Sequence, residues 1–133
     1  KNKKEHIDIL VNLHNLRKYR ISSVKKITYF EHRRFVKSNP YRSWYIIYLN
    51  EKKLIGAVYL TKYNIIGINL IKNINSENIF TIINFIKKRH RPLKEIKSVR
   101  SGSFGINTEK SNQHLQRCLK DLGYKISQIS FNL

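Results

Sequence analysis

Three β-rich runs follow one another along the chain with only short polar breaks between them, and this spacing constrains the fold more than any other feature. The runs cover residues 44–49, 54–61 and 65–71, and the breaks cover residues 50–53 and 62–64. Strands joined by such short breaks are predicted to form an antiparallel meander. The first run is apolar on both alternating faces, which favours an interior strand that is covered on both sides.

Two helices are predicted before this meander. Apolar residues recur at helical spacing over residues 6–18, which indicates an amphipathic helix. Thr28 and Glu31 have the spacing of a capping box, in which the hydroxyl and the carboxylate bind free backbone N–H groups at a helix start. A second helix is therefore predicted from Thr28 to about Lys37, because Pro40 forces the residue before it out of the helical region.

The second half of the chain is predicted to alternate between helices and strands. A third helix is expected from a cap at Ser76 to about Arg89, since isoleucines recur at helical spacing and the basic residues at its end suit the negative C-terminus. Residues 96–100 are predicted to form a short strand. Residues 101–105, with two glycines, are predicted to be a mobile connection.

A fourth helix and a final strand complete the predicted order. Leucines and Cys118 at helical spacing predict a helix that ends at Gly123, a residue type that suits the position after a helix C-terminus. Residues 124–133 are predicted to form the last strand. The order α, α, β, β, β, α, β, α, β implies an α/β fold with a mixed, mostly antiparallel sheet, a parallel β-α-β pair and helices on both faces.

Length and the N-terminal residues limit the class of protein. At 133 residues the chain has the length of a single domain, and no apolar run reaches the roughly 18 to 20 residues that a membrane-spanning helix needs. The basic start is not followed by the apolar stretch of a secretory signal, so we expect a cytoplasmic protein. The chain begins at Lys1 and not at a methionine, and we expect that an upstream segment was removed or not included.

Cysteine and histidine usage points to no redox or metal chemistry. Cys118 is the only cysteine, which fits a reducing compartment, and we expect it to be packed as a small hydrophobe. His6, His14 and His114 have no acidic or cysteine partner at metal-ligand spacing. No metal site is expected.

The formal net charge is +19, from 27 basic and 8 acidic residues. Such a charge attracts phosphates, CoA-like polyanions and nucleic acid alike, so it does not choose among these partners. The chain is also rich in isoleucine, asparagine, tyrosine and lysine, which A/T-rich codons favour, and genome composition explains part of the charge equally well. We expect weak association with polyanions that is spread over the surface, because basic pairs are scattered along the whole chain.

Four stretches carry a family pattern. They are Ile27–Phe35 (ITYFEHRRF), Leu54–Val58 (LIGAV), Ile66–Leu70 (IGINL), and Asn107 and Ser111 followed by Leu119–Tyr124 (LKDLGY). Together with the element order they resemble the GNAT family of N-acyltransferases from its first helix onward, without the initial edge strand of that family. The resemblance covers nearly the whole chain, and it implies a GNAT-like fold.

The resemblance implies an activity and a set of catalytic groups. An acetyl group would pass from acetyl-CoA to a primary amine on an amino-sugar, another small molecule or a protein N-terminus, by direct attack of the amine. Glu31 and His32 are then the candidates for the base; alternatively Glu31 caps the second helix and His32 is solvated. Backbone N–H groups of Leu70 and Ile71 are implied as donors to the thioester carbonyl.

The resemblance also implies where the acetyl-CoA would bind. The site is expected in the opening between the parallel strands. The implied contacts are Lys72, Asn73, Asn75 and Ser76 around the start of the third helix, and Asn107 and Ser111 before the fourth. Asn107 alternatively caps the fourth helix.

Two positions depart from the family pattern. Residues 72–78 lack the glycines of the family's pyrophosphate loop, and they include Glu77, which would oppose a phosphate. Leu119 stands where many members have a tyrosine that protonates the leaving thiolate. These departures favour the alternative class, a non-catalytic GNAT-like domain that binds an acidic partner or nucleic acid through its basic surface.

Overall fold

The computed structural model describes residues 4–16, 29–38 and 40–133. Its elements are α1 (Lys4–Leu16), α2 (Tyr29–Lys37), β1 (Ser43–Leu49), β2 (Lys53–Leu60), β3 (Ile65–Leu70), α3 (Ser76–Arg89), β4 (Gly105–Ile106) and α4 (Gln113–Asp121). The predicted cap Thr28 and the predicted end of the first helix lie outside the described residues. None of the helices in the described ranges is long and apolar enough to cross a membrane.

The four strands form one mixed sheet in the order β1-β2-β3-β4. β2 pairs antiparallel with both β1 and β3, and β4 pairs parallel with β3. The predicted meander is confirmed, and so is a parallel β-α-β unit that crosses through α3. The chain is therefore an α+β protein with a mixed sheet, as the element order indicates.

The prediction that the first run is an interior strand is wrong, because β1 lies at an edge of the described sheet. Its apolar character on both faces has a different cause. Trp44 and Ile46 pack with the helices on one face, whereas Tyr45 and Ile47 pack with the helices on the other. An edge strand covered on both faces has the same apolar pattern as an interior strand.

Two hydrophobic clusters hold the helices to opposite faces of the sheet. The first cluster consists of Ile7, Leu10, Val11 and Leu13 from α1, Val36 from α2 and Ala57 from β2. The second joins Ile79, Ile82, Ile83 and Ile86 of α3 and Leu115 and Cys118 of α4 to Ile55, Val58, Leu60, Ile66 and Ile68 of the sheet. Each fully buried isoleucine contributes about 2 kcal/mol through the apolar area that it removes from water.

The strand predicted over residues 96–100 is wrong. Ile96 and Arg100 form an isolated bridge that closes a turn, and Ser98 inside that turn has a φ of 64°. The two apolar side chains of the run, Ile96 and Val99, are exposed, so burial does not favour a strand there. The partner of β3 is instead Gly105–Ile106, at the end of the segment predicted as a mobile connection.

The final strand predicted over residues 124–133 is also wrong. This segment has no regular secondary structure, and Ile126, Ile129 and Phe131 are exposed. No strand within the described parts of the chain pairs with it. A sequence with β propensity becomes a strand only where a neighbouring strand accepts its hydrogen bonds.

Asn64 links the β2–β3 turn to the loop that precedes β4. Its side chain is fully buried, its NH₂ group donates to Leu93 O (2.9 Å) and Ser101 O (2.7 Å), and Leu93 N–H donates to its Oδ1 (2.7 Å). Gly105 N–H donates to the Asn64 carbonyl (3.0 Å), beside the first ladder pair of β3 and β4. Asn64 has a φ of 64°, a left-handed conformation that asparagine tolerates better than most residues.

Replacing Asn64 with alanine is expected to lower the free energy of unfolding by about 3 kcal/mol, because three partly buried backbone groups lose their partner and alanine disfavours the left-handed backbone. Urea unfolding measures the change. Asn50→Ala is the matched control: Asn50 has a φ of 53° but is exposed in the β1–β2 turn. It should cost about 1 kcal/mol. Equal costs at the two positions would show that the side-chain bonds of Asn64 do not hold the loop.

Candidate functional site

A cleft opens where β3 and β4 separate. The two strands pair only at Ile65 with Gly105 and at Ile66 with Ile106. Beyond these pairs, β3 continues to Leu70, whereas the segment that follows β4 turns towards α4. The cleft, about 50 Å³ in volume, is lined by residues 68–73 on one wall, by residues 107–109 on the other, and by Ile79, Asn112, His114 and Leu115. It lies at the carboxyl ends of parallel strands, where ligands of open α/β sheets bind.

The register of β3 decides which of its backbone groups face the cleft. Ile65 O accepts from Thr61 N–H (2.9 Å), and Ile71 N–H donates to Ile55 O (3.0 Å), so the odd-numbered residues of β3 direct their backbone groups towards β2. The even-numbered residues direct theirs to the opposite side, where β4 ends after two residues. Leu70 N–H is therefore available to a ligand in the cleft, whereas Ile71 N–H is already bonded within the sheet.

Glycine at position 56 allows the cleft wall to approach β2 closely. A Cβ atom on Gly56 would lie 2.1 Å from the Asn69 carbonyl oxygen and 3.0 Å from Leu70 Cα. Gly56 follows the irregular register between Ile47 and Tyr48, where β2 has one extra residue. A larger residue there would push the end of β3 away from β2.

The N-terminus of α3 borders the cleft, and its cap is Asn75 and not Ser76. Asn75 Oδ1 accepts from Asn78 N–H (2.8 Å), which commits the predicted ligand contact Asn75 to the helix. Ser76 is the first residue of α3. Neither residue lines the cleft, although Ile79 from the first turns of α3 does. The N–H groups of Ser76 and Glu77 have no acceptor inside the helix, because a first turn never supplies one.

The opposite wall carries a carboxylate. Glu109 accepts hydrogen bonds from the Ser111 hydroxyl and from Ser111 N–H (2.9 Å). These bonds lower the pKa of Glu109 below its ordinary value, with the hydroxyl as the largest cause. The predicted contact Ser111 therefore already binds a protein carboxylate. Asn107 is exposed and lines the cleft, and the cap of α4 is Asn112, whose Oδ1 accepts from Leu115 N–H (3.2 Å).

His114 lines the cleft and was not among the residues predicted for the site. Its Nε2 lies 2.6 Å from Ile74 O. A carbonyl oxygen only accepts, so Nε2 carries the hydrogen and the neutral ring has an unprotonated Nδ1. Cys118 follows one helical turn later, buried, with its Sγ 3.6 Å from the same Nε2. The spacing of four residues between His114 and Cys118 is the sequence signal for their shared helix face, and the expectation that His114 has no cysteine partner is wrong.

Two lysines lie near each other, and one of them, Lys72, lines the cleft. The pKa of Lys72 is lowered below its ordinary value. The largest cause is a side-chain hydrogen bond with Lys53, followed by the burial of Lys72 and by the positive charge of Lys53. Two neighbouring ammonium groups favour an anion between them. Lys72 and Glu109 stand on opposite walls, so the cleft has one cationic and one anionic side.

The structure does not bring the predicted catalytic residue Glu31 into this cleft. Glu31 is exposed in the first turn of α2 and is not a lining residue. The side chain of His32 lies outside the described part of the chain. By contrast, Leu70, Ile71, Lys72, Asn73 and Asn107 line the cleft together.

The fold and the site define a class only coarsely: an α+β protein whose mixed sheet opens into a cleft at the end of its parallel pair. No protein-family model matches the chain, and comparisons with curated proteins and with solved structures also find no match. What the cleft binds has to be inferred from its own chemistry.

Replacing Ser111 with alanine is expected to raise the pKa of Glu109 part of the way to its ordinary value of 4.5, because the hydroxyl bond is the main cause of the shift. Carbon-detected NMR titration of the carboxyl group measures this. A carboxyl group whose pKa is lower in the folded state than in the unfolded state stabilises the fold at pH values above its ordinary pKa. This stabilisation is lost as the pH falls through the pKa of the folded state. The difference in stability between variant and wild type should therefore vanish in acid.

Thr81→Ala is the matched control for Ser111→Ala. The Thr81 hydroxyl donates to a backbone carbonyl, Glu77 O (3.0 Å), and not to a carboxylate. Its loss should leave the titration of Glu109 unchanged. If Glu109 titrates identically in wild type and Ser111→Ala, the hydroxyl does not bind the carboxylate in solution.

Proposed function

We propose that the chain is an acyl-CoA-dependent N-acyltransferase that acetylates a primary amine. The observation that carries this is the separation of β3 from β4, which exposes the backbone of Leu70 beside a cleft with one cationic side. An opening between parallel strands is where the resemblance to the GNAT family places acetyl-CoA. Five residues that the resemblance implies, Leu70, Ile71, Lys72, Asn73 and Asn107, line this cleft although they come from two separate stretches of sequence.

The residues of the cleft and its surroundings have the chemistry that a thioester and a polyphosphate arm require. When bound, acetyl-CoA supplies the acetyl group in activated form as a thioester. Leu70 N–H would polarise the carbonyl of that group, as a preorganised donor in a partly enclosed site does. Lys72 and Lys53 would hold phosphate oxygens, and the first turn of α3 adds N–H donors and a partial positive charge. Glu77 on the same turn repels an anion and weakens the attraction of the helix N-terminus. The two lysines would therefore supply the attraction for phosphate that the glycine loop supplies in the family.

His114 is the group best placed to manage the proton. Ile74 O fixes the hydrogen on Nε2, so Nδ1 of the neutral ring accepts the proton that an attacking amine loses. An acceptor that arrives as an ammonium ion would first lose one proton to solvent. The second proton, which Nδ1 takes as the C–N bond forms, would pass to the leaving sulfur as the C–S bond breaks. Glu31 and His32 stay candidates for this role through the resemblance. His114 has the advantage that it lines the cleft.

Glu109 gives the acceptor side of the cleft its charge. It is a carboxylate on the wall opposite Lys72, and its hydrogen bonds from Ser111 keep it ionised. An acceptor arrives mainly as an ammonium ion, which a net charge of +19 repels. A carboxylate at the site offsets this repulsion locally, and we infer that it draws the amine to the thioester.

A non-catalytic nucleic-acid-binding domain is the second candidate. The observation that favours it is the shortage of internal ion pairs: within the described ranges one salt bridge forms, between His6 and Glu5 at 3.7 Å. Most lysines and arginines there are therefore available to phosphates of a nucleic acid. The enzyme hypothesis requires an intact cleft, whereas the nucleic-acid-binding hypothesis requires only the basic surface. Substitutions in the cleft should therefore impair function under the first hypothesis and not under the second.

Replacing Lys72 with glutamine is expected to weaken acetyl-CoA binding about tenfold, because one of two cations at the phosphate position is lost. Isothermal titration calorimetry measures the dissociation constant. Lys62→Gln is the matched control, since Lys62 is exposed at the opposite end of β3 and the charge removed is the same. Equal weakening by both variants would mean that acetyl-CoA binds to the basic surface and not in the cleft.

Replacing His114 with glutamine is expected to lower kcat by about 100-fold with little change in acetyl-CoA affinity, the effect of losing a general base. Glutamine places an amide N–H near the position of Nε2, so the bond to Ile74 O is kept. Single-turnover kinetics on a panel of amines measure the effect. Glu31→Gln is the comparison: if Glu31→Gln is the slow variant and His114→Gln is fully active, the base is on α2 and the role given to His114 is wrong.

A further inference from the structure

A second polar cluster lies at the other end of α3. The Tyr45 hydroxyl is 2.8 Å from His90 Nε2, which joins β1 to the residue that ends α3. Phe85 packs edge-on against Tyr45 with ring centroids 5.0 Å apart, and the Arg89 guanidinium lies 4.5 Å from the centre of the Phe85 ring. Phe85 therefore contacts both the Arg89 guanidinium and the Tyr45 ring.

Arg42 adds a second guanidinium to this cluster. It directly precedes β1, and its backbone N–H donates to Leu60 O (2.8 Å). Its Nη1 atom is buried and has no hydrogen-bond partner among the described residues. A buried donor without an acceptor costs stability unless a ligand or water supplies the acceptor.

The charges of Arg42 and Arg89 both act on His90, the partner of the Tyr45 hydroxyl. Burial, then Arg42 and then Arg89 lower the pKa of His90 below its ordinary value of 6.5, so the ring is neutral at pH 7. The salt bridge found within the described ranges is elsewhere, at His6 and Glu5. No carboxylate of those ranges forms a salt bridge with either guanidinium.

We infer that Arg42, Arg89, Tyr45 and His90 form a binding site for a phosphate group. Two guanidinium groups present paired N–H donors in a planar fork, the arrangement that phosphate oxygens accept. A single carboxylate would neutralise only one of them. A phosphate carries up to two charges and enough acceptor oxygens for both arginines and for the tyrosine hydroxyl.

Tyr45 and His90 respond to the bound anion together. In the free protein the neutral His90 Nε2 can accept from the Tyr45 hydroxyl. A bound phosphate favours the charged ring, so His90 takes one proton from solvent, and Nε2–H then donates to the Tyr45 oxygen. The Tyr45 hydroxyl group then no longer donates to His90, and it donates its hydrogen to a phosphate oxygen instead.

One feature of the fold opposes an anion here and is outweighed. The C-terminus of α3 carries a partial negative charge of about half an elementary charge. Two guanidinium groups exceed it, and the exposed residues Lys87, Lys88 and Arg91 add further positive charge. The site is distinct from the cleft, because the 14 residues of α3 separate the two by roughly 20 Å.

Titration of the whole chain with inorganic phosphate, at constant ionic strength held with chloride, tests this inference. We expect saturable binding, seen as a rising NMR titration midpoint of the His90 ring and a higher unfolding temperature. Arg89→Gln and Arg42→Gln should each weaken it about tenfold, the effect of losing a charge-assisted pair of hydrogen bonds. Arg117→Gln, on the exposed side of α4, is the matched control and should change it less than about twofold.

Several outcomes would overturn the inference. They are binding that does not saturate, equal loss in all three variants, or a His90 midpoint that phosphate does not move. If Arg42→Gln does not fold, Arg89→Gln decides alone, since Arg89 is an exposed residue. A parallel titration with a single-stranded oligonucleotide identifies the source of the phosphate: loss of its binding in Arg89→Gln assigns the site to a nucleic-acid backbone, and unchanged binding assigns it to a free phosphorylated ligand.

Discussion

The buried side chain of Asn64 is the interaction on which the mixed sheet depends. Asn64 lies in the turn between two antiparallel strands. Its side chain binds the backbone of Leu93, which is 29 positions later in the chain, and of Ser101, which is 37 positions later. A parallel partner for β3 has to come from such a distant segment, because the chain must first cross the sheet through α3. β4 has only two residues, and its few ladder bonds cannot fix the register alone. The cleft exists because this anchor brings the chain to β3 at Ile65 and leaves it free beyond Ile66.

Local sequence patterns predicted the elements whose limits are determined by helix and turn chemistry. α3 spans Ser76–Arg89 as its isoleucine spacing indicates, and Gly123 has a φ of 90° after α4, as a left-handed C-terminal residue requires. The failures occurred where tertiary contacts decide. Residues 124–133 have β propensity but no neighbouring strand within the described chain, and β4 is too short to produce a pattern. The edge position of β1 was hidden because helices cover both of its faces.

The candidate site was predicted more fully on the β3 side than on the α4 side, where Asn107 is the predicted residue that lines the cleft. Lys72 and Asn73 follow the third strand directly, so their place at the strand end required only the order of elements. His114 lines the cleft because α4 packs its inner face against Ile74, a contact across 40 residues of sequence. Glu109 was missed for a similar reason, since its role depends on the turn that precedes α4. A resemblance in motifs identified the region, and only the packing of the helices showed which side chains meet there.

The two anion sites that we infer at the ends of α3 would hold their ligands by different means. At the start of the helix, backbone N–H groups and the helix dipole already favour a negative charge, so two lysines without rigid geometry are enough. At its end the dipole is unfavourable, and an anion can be held only by groups with strong, directional donors. Arginine supplies these, and both arginines of that cluster are positioned by the fold, Arg89 over the Phe85 ring and Arg42 at the start of β1. Two lysines, Lys53 and Lys72, would therefore suffice at the cleft, whereas the Tyr45–His90 pair would rely on the arginines among the basic residues around it.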